Sequence, residues 1–294
     1  MYDLQFTPSA EHFSAQAHGY LAEHPVVENV VATTAQRAIR EDAEGVIRPP
    51  DRPWWFCVIR DGEGQIAGVA MRTAPAPEYA VWVGGLPADA ADALADQLID
   101  RGEAISVITG SQPPARVLAD RMADAIAGRV SIRQRTRLFE LGELVPPTGV
   151  SGNIRPATQD DLDLVHRWRD VFLAEAEEQA GRPVTSYVAT DPEETRRRIR
   201  DHQFWLWEDA GQVVHLTGAS PPSSGVARIA PVYTPKPFRG NGYAMAAVAA
   251  VSQLLVDQRA RVCLFTDQAN PVSNRIYQRI GYRPVADMEQ LIIE

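Results

Sequence analysis

The run Val226-Ala227-Arg228-Ile229-Ala230-Pro231-Val232-Tyr233-Thr234, followed by Arg239-Gly240-Asn241-Gly242-Tyr243-Ala244 and an Ala-rich stretch to about Ala260, decides how this chain folds. The first part reads as a strand and the last as a helix. Between them, Gly240 and Gly242 let the backbone turn tightly and approach a ligand. A helix opening there directs its free N–H groups and its positive dipole end to one place. That arrangement suits a pyrophosphate, and Arg239 adds a fork of donors for phosphate oxygens. The loop is not a Walker A sequence, because no Gly-Lys-Ser/Thr is present. Nor is it a dinucleotide fingerprint, because no third glycine follows at the required spacing.

Downstream, Val262 to Thr266 is an apolar strand. The segment Asn270-Pro271-Val272-Ser273-Asn274-Arg275-Ile276-Tyr277-Gln278-Arg279-Ile280-Gly281-Tyr282 then reads as a helix with Gly281 as its left-handed cap. The chain closes on a strand at Leu291-Ile292-Ile293. Upstream, Phe204 to Glu208 and Gln212 to Thr217 flank Asp209-Ala210-Gly211 and form a hairpin. Before it, Thr158-Gln159-Asp160-Asp161 resembles a capping box. The helix it opens carries Leu162, Val165, Trp168, Val171 and Phe172 on one stripe. A second helix starts at Asp191-Pro192-Glu193-Glu194, with proline at the first position and acids in the first turn. Ile154 to Ala157 is a short strand. Before it lies Val145-Pro146-Pro147-Thr148-Gly149-Val150-Ser151-Gly152-Asn153, a Pro/Gly/Ser-rich linker. It divides the chain into an expected N-terminal domain, 1–146, and an expected C-terminal domain, 147–294.

The N-terminal half repeats this order in outline. Helical segments around Ala10 to Ala22 and Pro25 to Ile39 precede a hairpin, Trp55 to Arg60 and Gln65 to Val69, turned by Asp61-Gly62-Glu63-Gly64. A strand at Ala80 to Val83, a helix from Pro87, a strand at Ala104 to Ile108 and a helix near Arg116 to Ala127 follow. The parallel suggests a duplication.

The bulk numbers suit two globular domains: 294 residues, 45% hydrophobic and 23% charged. A net charge of −9 and a pI near 5.2 speak against a non-specific nucleic-acid binder. Cys57 and Cys263 each lie in an apolar run and read as buried thiols. The six histidines are scattered, with no CxxC or HExxH, so no metal is expected. The N-terminus lacks the regions of a signal peptide, and the longest apolar stretch is too short to span a bilayer. A cytoplasmic protein with no membrane and no nucleic-acid partner is expected, as monomer or homodimer.

Arg-x-x-Gly-x-Ala after a strand resembles the cofactor loop of the GNAT superfamily of N-acetyltransferases. The downstream Asn270, Tyr277 and Gly281-Tyr282 sit at that family's spacing, and the resemblance covers roughly Ile154 to Glu294. It implies an α/β fold of two GNAT-like domains, each a mixed, mostly antiparallel twisted sheet flanked by helices. It implies acetyl-CoA as cosubstrate and transfer to a primary amine of a small molecule by direct attack. Backbone groups of Val232, Tyr233 and Thr234 would pair with the pantetheine arm, one N–H polarising the thioester carbonyl. N–H groups from Gly240 through Asn241, Gly242 and Tyr243 to Ala244 would take the pyrophosphate, with Arg239 beside them. Asn270, Ser273 and Asn274 would order the cofactor side of the last helix. Tyr277 would protonate the departing thiolate, a task that suits a phenol neutral at pH 7.

Many relatives place a Glu on the strand before the loop, and this strand has no carboxylate. Glu175, Asp267 and His215 are therefore the candidate bases, and a water chain to a distant acid is an alternative. His215, on an alternating strand, reads more simply as a structural histidine. Arg196, Arg197, Arg198 and Arg200 read as a solvated helix face. Glu175, Glu177 and Glu178 read as a solvated helix end that could also attract a cationic amine. Trp54, Trp55, Trp205 and Trp207 read as packing.

The matching junction of the N-terminal half, Val83-Gly84-Gly85-Leu86-Pro87-Ala88-Asp89, has no arginine and no Gly-x-Ala, and Asp89 in the first turn would repel phosphate. That half is expected to be non-catalytic, supplying structure, a pocket wall or an interface. The rival classes are a non-catalytic acyl-CoA-binding or regulatory protein and an aminoacyl-tRNA-dependent transferase. The acidic pI and the Arg239 loop disfavour the second.

Overall fold

Asp3–Thr7 forms β1, a strand that begins the first of two repeats of one element order in this computed structural model. The structure describes residues 1–48, 52–73, 80–179, 181 and 190–294. After β1 come α1 (Ala10–Glu23), α2 (Asn29–Ala43), β2 (Trp55–Arg60), β3 (Ile66–Arg72), β4 (Val81–Val83), α3 (Ala88–Asp100), β5 (Val107–Ser111), α4 (Pro114–Ala125) and β6 (Val130–Leu141). The second repeat is β7 (Asn153–Pro156), α5 (Leu162–Gln179), α6 (Pro192–Arg200), β8 (Phe204–Asp209), β9 (Gln212–Ala219), β10 (Val226–Tyr233), α7 (Tyr243–Asp257), β11 (Arg261–Asp267), α8 (Pro271–Arg279) and β12 (Tyr282–Ile293). Short 3₁₀ turns precede α5 and α7.

Packing divides the chain into two units, Met1–Arg137 with Ala286–Glu294, and Leu138–Val285. The linker expected as the boundary thus lies inside the second unit, and the last strand expected in the C-terminal domain belongs largely to the first. A linker signal reports where the backbone is irregular. Membership of a core is decided by which strand a strand pairs with. Leu291 pairs with Ile108 of β5 and is buried in the first unit's core. Leu138 and Phe139, near the end of β6, are fully buried, and Phe139 lies in the second unit's core. Each repeat thus ends in a strand whose last residues are counted with the other unit.

In the first unit β1, β2, β3 and β4 pair antiparallel in sequence order, β4 and β5 pair parallel, and β12 runs antiparallel to β5. Phe13, Ala17, Val31 and Ala35 pack α1 and α2 on one side of this sheet. Leu94, Leu98, Leu118 and Met122 belong to a second core, formed by α3 and α4. In the second unit β7, β8, β9 and β10 pair antiparallel, and β10 and β11 pair parallel. Within each unit the strand pairing is mostly antiparallel with a parallel pair, β4–β5 or β10–β11, as expected of the GNAT-like class.

Local chemistry accounts for the helix starts. Thr158 and Asp161 form the expected capping box, and Asp161 also accepts Arg155 at 2.7 Å. Asp191 caps α6 with Pro192 at its first position. α7 buries Val248, Val251 and Leu255 on one stripe, each worth roughly 1.5–3 kcal/mol of transfer free energy. Its alanines at 246, 247 and 249 are buried as well and allow close approach to the sheet.

Two strands went unnamed in the sequence. β6 alternates Ser131, Arg133, Arg135 and Arg137 with Val130, Ile132, Gln134 and Thr136, a readable period of two. β1 is five residues and only half-buried, so it carries little pattern. α2 begins at Asn29 rather than near Pro25, because Glu28 and Asn29 are drawn into the core.

Candidate active site

β10 and β11 run parallel, and their register covers only Val226↔Arg261 to Ile229↔Leu264. Both strands continue, to Tyr233 and Asp267. On its other edge β10 slips register between Ile229 and Val232, at Pro231, and rejoins β9 at Val232↔Thr217. A proline removes a ladder donor and favours such a bulge. Val232, Tyr233 and Thr234 therefore stand at the end of β10 beyond its pairing with β11, with the glycine loop just ahead.

Gly240 and Gly242 have φ of 86° and 83°. Gly242 is the N-cap of α7 and has no side chain to bind the helix's first N–H groups. In contrast, the Asn270 side chain caps α8 by accepting from Ser273 N–H at 3.1 Å. A Cβ at Gly240 would meet nothing within 4 Å, so conformation alone demands glycine there. The loop thus fits a phosphate group: its turn leaves the helix N–H groups without a side-chain competitor. Asn241 is exposed and its side-chain amide donates to Phe238 O at 3.1 Å. The Tyr243 hydroxyl donates to Asp209, which also accepts from Ser151 at 2.8 Å. The two hydrogen bonds hold the Asp209 carboxyl below its usual range. They pin the start of α7 to the β8–β9 turn, a link no sequence signal announced. Ala244 follows in the first turn of α7.

Arg239 is exposed but engaged. Its Nε donates to Thr234 O at 2.9 Å and its terminal nitrogen to Glu175. Glu175, on α5, also accepts from the Tyr233 hydroxyl at 3.4 Å. Burial first, then the Glu175 charge, raises the Tyr233 phenol above its ordinary pKa. Three of the expected site residues, from α5, β10 and the loop, therefore meet at one carboxylate.

On the β11 side, Asp267 accepts Ala269 N–H at 2.8 Å through its carboxylate, while its carbonyl takes Asn270 N–H at 3.0 Å. Asn274 donates to the Asp267 and Asn270 carbonyls at 2.9 and 2.8 Å. Asp267, Asn270, Ser273 and Asn274 thus build the turn into α8. The Asp267 carboxylate serves as an acceptor within its own turn. α8 then presents Tyr277, a buried residue packed edge-on to Tyr282 at 6.1 Å. The Tyr277 hydroxyl has no hydrogen-bond partner among the described residues, and burial raises its pKa, keeping it a neutral donor at physiological pH. Tyr282 exchanges a 2.7 Å hydrogen bond with Ser252 of α7, anchoring the end of α8.

His215 is fully buried, its Nδ1 2.7 Å from Thr234 Oγ1 and its Nε2 2.8 Å from Thr217 Oγ1. Burial pulls its pKa down to about 3, leaving a neutral, weakly basic ring. Its two hydrogen bonds tie the end of β10 to β9. Among the four arginines of α6, Arg196 pairs with Glu193 and Arg198 reaches Gln203 and stacks over Phe204. Trp207 is buried and donates to Ser151 O at 2.9 Å, and Trp55 donates to Glu103 at 3.0 Å, both packing roles. Among the described residues, no group of three His, Cys, Asp or Glu could hold a metal, and no helix is long and apolar enough to cross a membrane.

The acetyltransferase (GNAT) family matches residues 165–282. This segment is a GNAT acetyltransferase domain. It holds the parted β10 and β11, the glycine loop and α8, and ends on Tyr282. Solved structures match over almost the whole chain. A GCN5-related N-acetyltransferase from Sphaerobacter thermophilus is 17% identical, with TM-score 0.56, over 99% of this chain and 94% of that one. A Drosophila protein is 13% identical, with TM-score 0.67, over 99% and 98%. A tandem GNAT protein from the clavulanic acid biosynthesis pathway is 14% identical, with TM-score 0.56, over 99% and 98%. At these identities the likeness is one of fold, and it extends the tandem GNAT fold to both repeats. No curated protein matches the chain.

Proposed function

We propose that the C-terminal unit transfers an acetyl group from acetyl-CoA to the primary amine of a small molecule, by direct attack with both substrates bound. The observation that carries this is the end of β10. Its pairing with β11 stops at Ile229, and the glycine loop opens α7 immediately beyond. Acetyl-CoA supplies an acyl group activated as a thioester. Backbone N–H groups of Gly240 to Ala244 hold its pyrophosphate, and backbone groups of Val232 to Thr234 pair with its pantetheine arm. One N–H at the end of β10 polarises the carbonyl and stabilises the developing oxyanion.

The amine nitrogen bonds to the carbonyl carbon and the C–S bond breaks. Tyr277 gives its proton to the departing thiolate and regains one from solvent. Glu175, the candidate carboxylate beside the end of β10, accepts the proton the amine sheds. A cationic acceptor suits this acidic rim, where Glu178 also stands, paired with Lys236 at 2.9 Å. The N-terminal unit takes no part in the chemistry.

The test is an acetyl-CoA transfer screen against pools of small amines, amino acids and aminoglycosides, with Tyr277→Phe as control. The expected outcome is acetylation by wild type that is lost in the variant while CoA still binds. Binding of CoA with no transfer to any pool, and no effect of Tyr277→Phe, would instead identify an acyl-CoA-binding protein.

A further inference from the structure

Arg239 and Glu175 are 64 residues apart in the chain, yet the group expected to hold phosphate is bound to the group expected to take a proton. The Glu175 side chain is only 16% exposed. It spans from α5 to the Tyr233 hydroxyl at the end of β10 and to the first residue of the loop. Lys236 and Glu178 make a parallel link, but both are more than half exposed (56% and 63%), where an ion pair contributes little. The neighbouring cation is therefore no substitute for Arg239.

A guanidinium offers its donors in one plane, and carboxylate and phosphate use the same forked edge. With Nε on the Thr234 carbonyl and a terminal nitrogen on Glu175, one forked edge of Arg239 is already occupied, and a phosphate can take that edge only by displacing Glu175. Both anions cannot hold that edge at full strength.

We propose that Glu175 and the pyrophosphate of acyl-CoA compete for Arg239, so that cosubstrate binding frees the Glu175 carboxylate beside Tyr233 to receive a cationic amine. This rests on the acetyltransferase function above and adds to it a charge class for the acceptor and the ion pair that controls when the Glu175 carboxylate is exposed. The charges balance at each stage. Glu175 neutralises Arg239 in the ion pair. Once Arg239 turns to phosphate, Glu175 carries an uncompensated negative charge in a partly buried place, and an ammonium group restores neutrality. Linkage makes the effect reciprocal: Glu175 weakens cosubstrate binding by the factor through which cosubstrate releases Glu175.

The test is calorimetric titration at low salt of CoA, and separately of inorganic pyrophosphate, into wild type, Glu175→Gln, Glu175→Ala, Arg239→Gln and the Glu175→Gln/Arg239→Gln double variant. Removing the competitor should tighten CoA binding at least about fivefold, the lower end of ordinary coupling between sites. Arg239→Gln should weaken it, and adding Glu175→Gln to that variant should change it by less than about twofold, since the shared partner is gone. Pyrophosphate should give the same ranking at lower affinity. The two Glu175 variants guard against one of them misfolding, which thermal melts would reveal. Unchanged or weaker CoA binding in both Glu175 variants overturns the competition while leaving the acetyltransferase function standing. A ranking seen with CoA but not with pyrophosphate also overturns it, because the competition would then lie elsewhere on the cosubstrate. Wild type that binds neither CoA nor pyrophosphate overturns both.

Discussion

The two units share one element order and differ most at one junction, where the parallel pair of strands runs out. In the first unit β4 pairs with β5 to its last residue, Val83↔Gly110. Beyond it the strand ends are tied together. Ser111 donates its hydroxyl to Gly84 O, and Glu28 accepts Gly85 N–H at 2.8 Å. Glu28 comes from the turn before α2, is fully buried, and is held also by Tyr20 at 3.3 Å. In the second unit the corresponding pair parts at Ile229↔Leu264, and Glu175, the carboxylate from α5 at the end of β10, binds Arg239 and the Tyr233 hydroxyl. One fold thus gives a junction closed by its own side chains and another whose strands part ahead of the glycine loop. In the first unit a single buried acid takes the backbone donor that the proposed function leaves to the thioester in the second.

The largest expected effect tests the chemistry of the open junction. Tyr277→Phe should lower kcat by about 10²–10⁴, the ordinary range for a general acid, while CoA affinity measured by calorimetry stays within a few-fold. At the same step along α4 stands Asp120, exposed and paired with Arg116 at 2.8 Å, so the closed unit has no counterpart to lose. CoA should accordingly titrate to one site per chain; a second site of similar affinity would break the comparison.

The next effect belongs to Glu28. Burial raises its pKa to about 7, because only two donors reach it and its Oε2 lacks a partner. The folded pKa lies above the unfolded one. The stability contributed by the neutral form is therefore full below the unfolded value near pH 4.5 and is lost as pH rises to about 7. A shift of this size corresponds to roughly 3 kcal/mol. Denaturant midpoints of wild type should fall across that window, and those of Glu28→Gln should not, so the two curves separate as pH rises.

Glycines of the two junctions should respond oppositely. A Cβ at Gly110 would lie 2.2 Å from the Val83 carbonyl oxygen, so Gly110→Ala forces apart the paired backbones. It should cost about 2–3 kcal/mol of stability and leave CoA affinity unchanged. Gly240→Ala adds no clash, only an alanine held at positive φ. It should cost about 1 kcal/mol, read as roughly fivefold weaker CoA binding, with little change in thermal midpoint. If Gly110→Ala also weakened CoA binding, the junctions would not be independent.

Much of the second unit was legible residue by residue. Thr158/Asp161 and Asp191-Pro192 announce helix starts because caps are local, four-residue chemistry. Gly240, Gly242 and Gly281 announce positive φ for the same reason. The loop and the Asn270 to Tyr282 segment together carried the family. Local patterns were silent on partners. Glu175 and Asp267 were equal candidates in the sequence. The structure separates them, because Asp267 caps its own turn while Glu175 reaches Arg239 and Tyr233. His215 read as a structural histidine, but its partners, Thr217 and Thr234, were not legible. The exchange of final strands was illegible too, since β6 went unread, β12 was read only at Leu291 to Ile293, and neither carries a mark where one core gives way to the other.

The sequence by itself determined the repeated order of elements, the glycine loop and the restriction of the cosubstrate signature to one half. These depend on backbone propensity and short spacings, which neighbouring residues settle among themselves. Only the tertiary structure decided that one junction is closed and the other is not, and that Arg239 answers to Glu175. Those outcomes depend on which charged groups burial brings together across tens of residues, where the loss of water makes a partner obligatory and no local pattern names it.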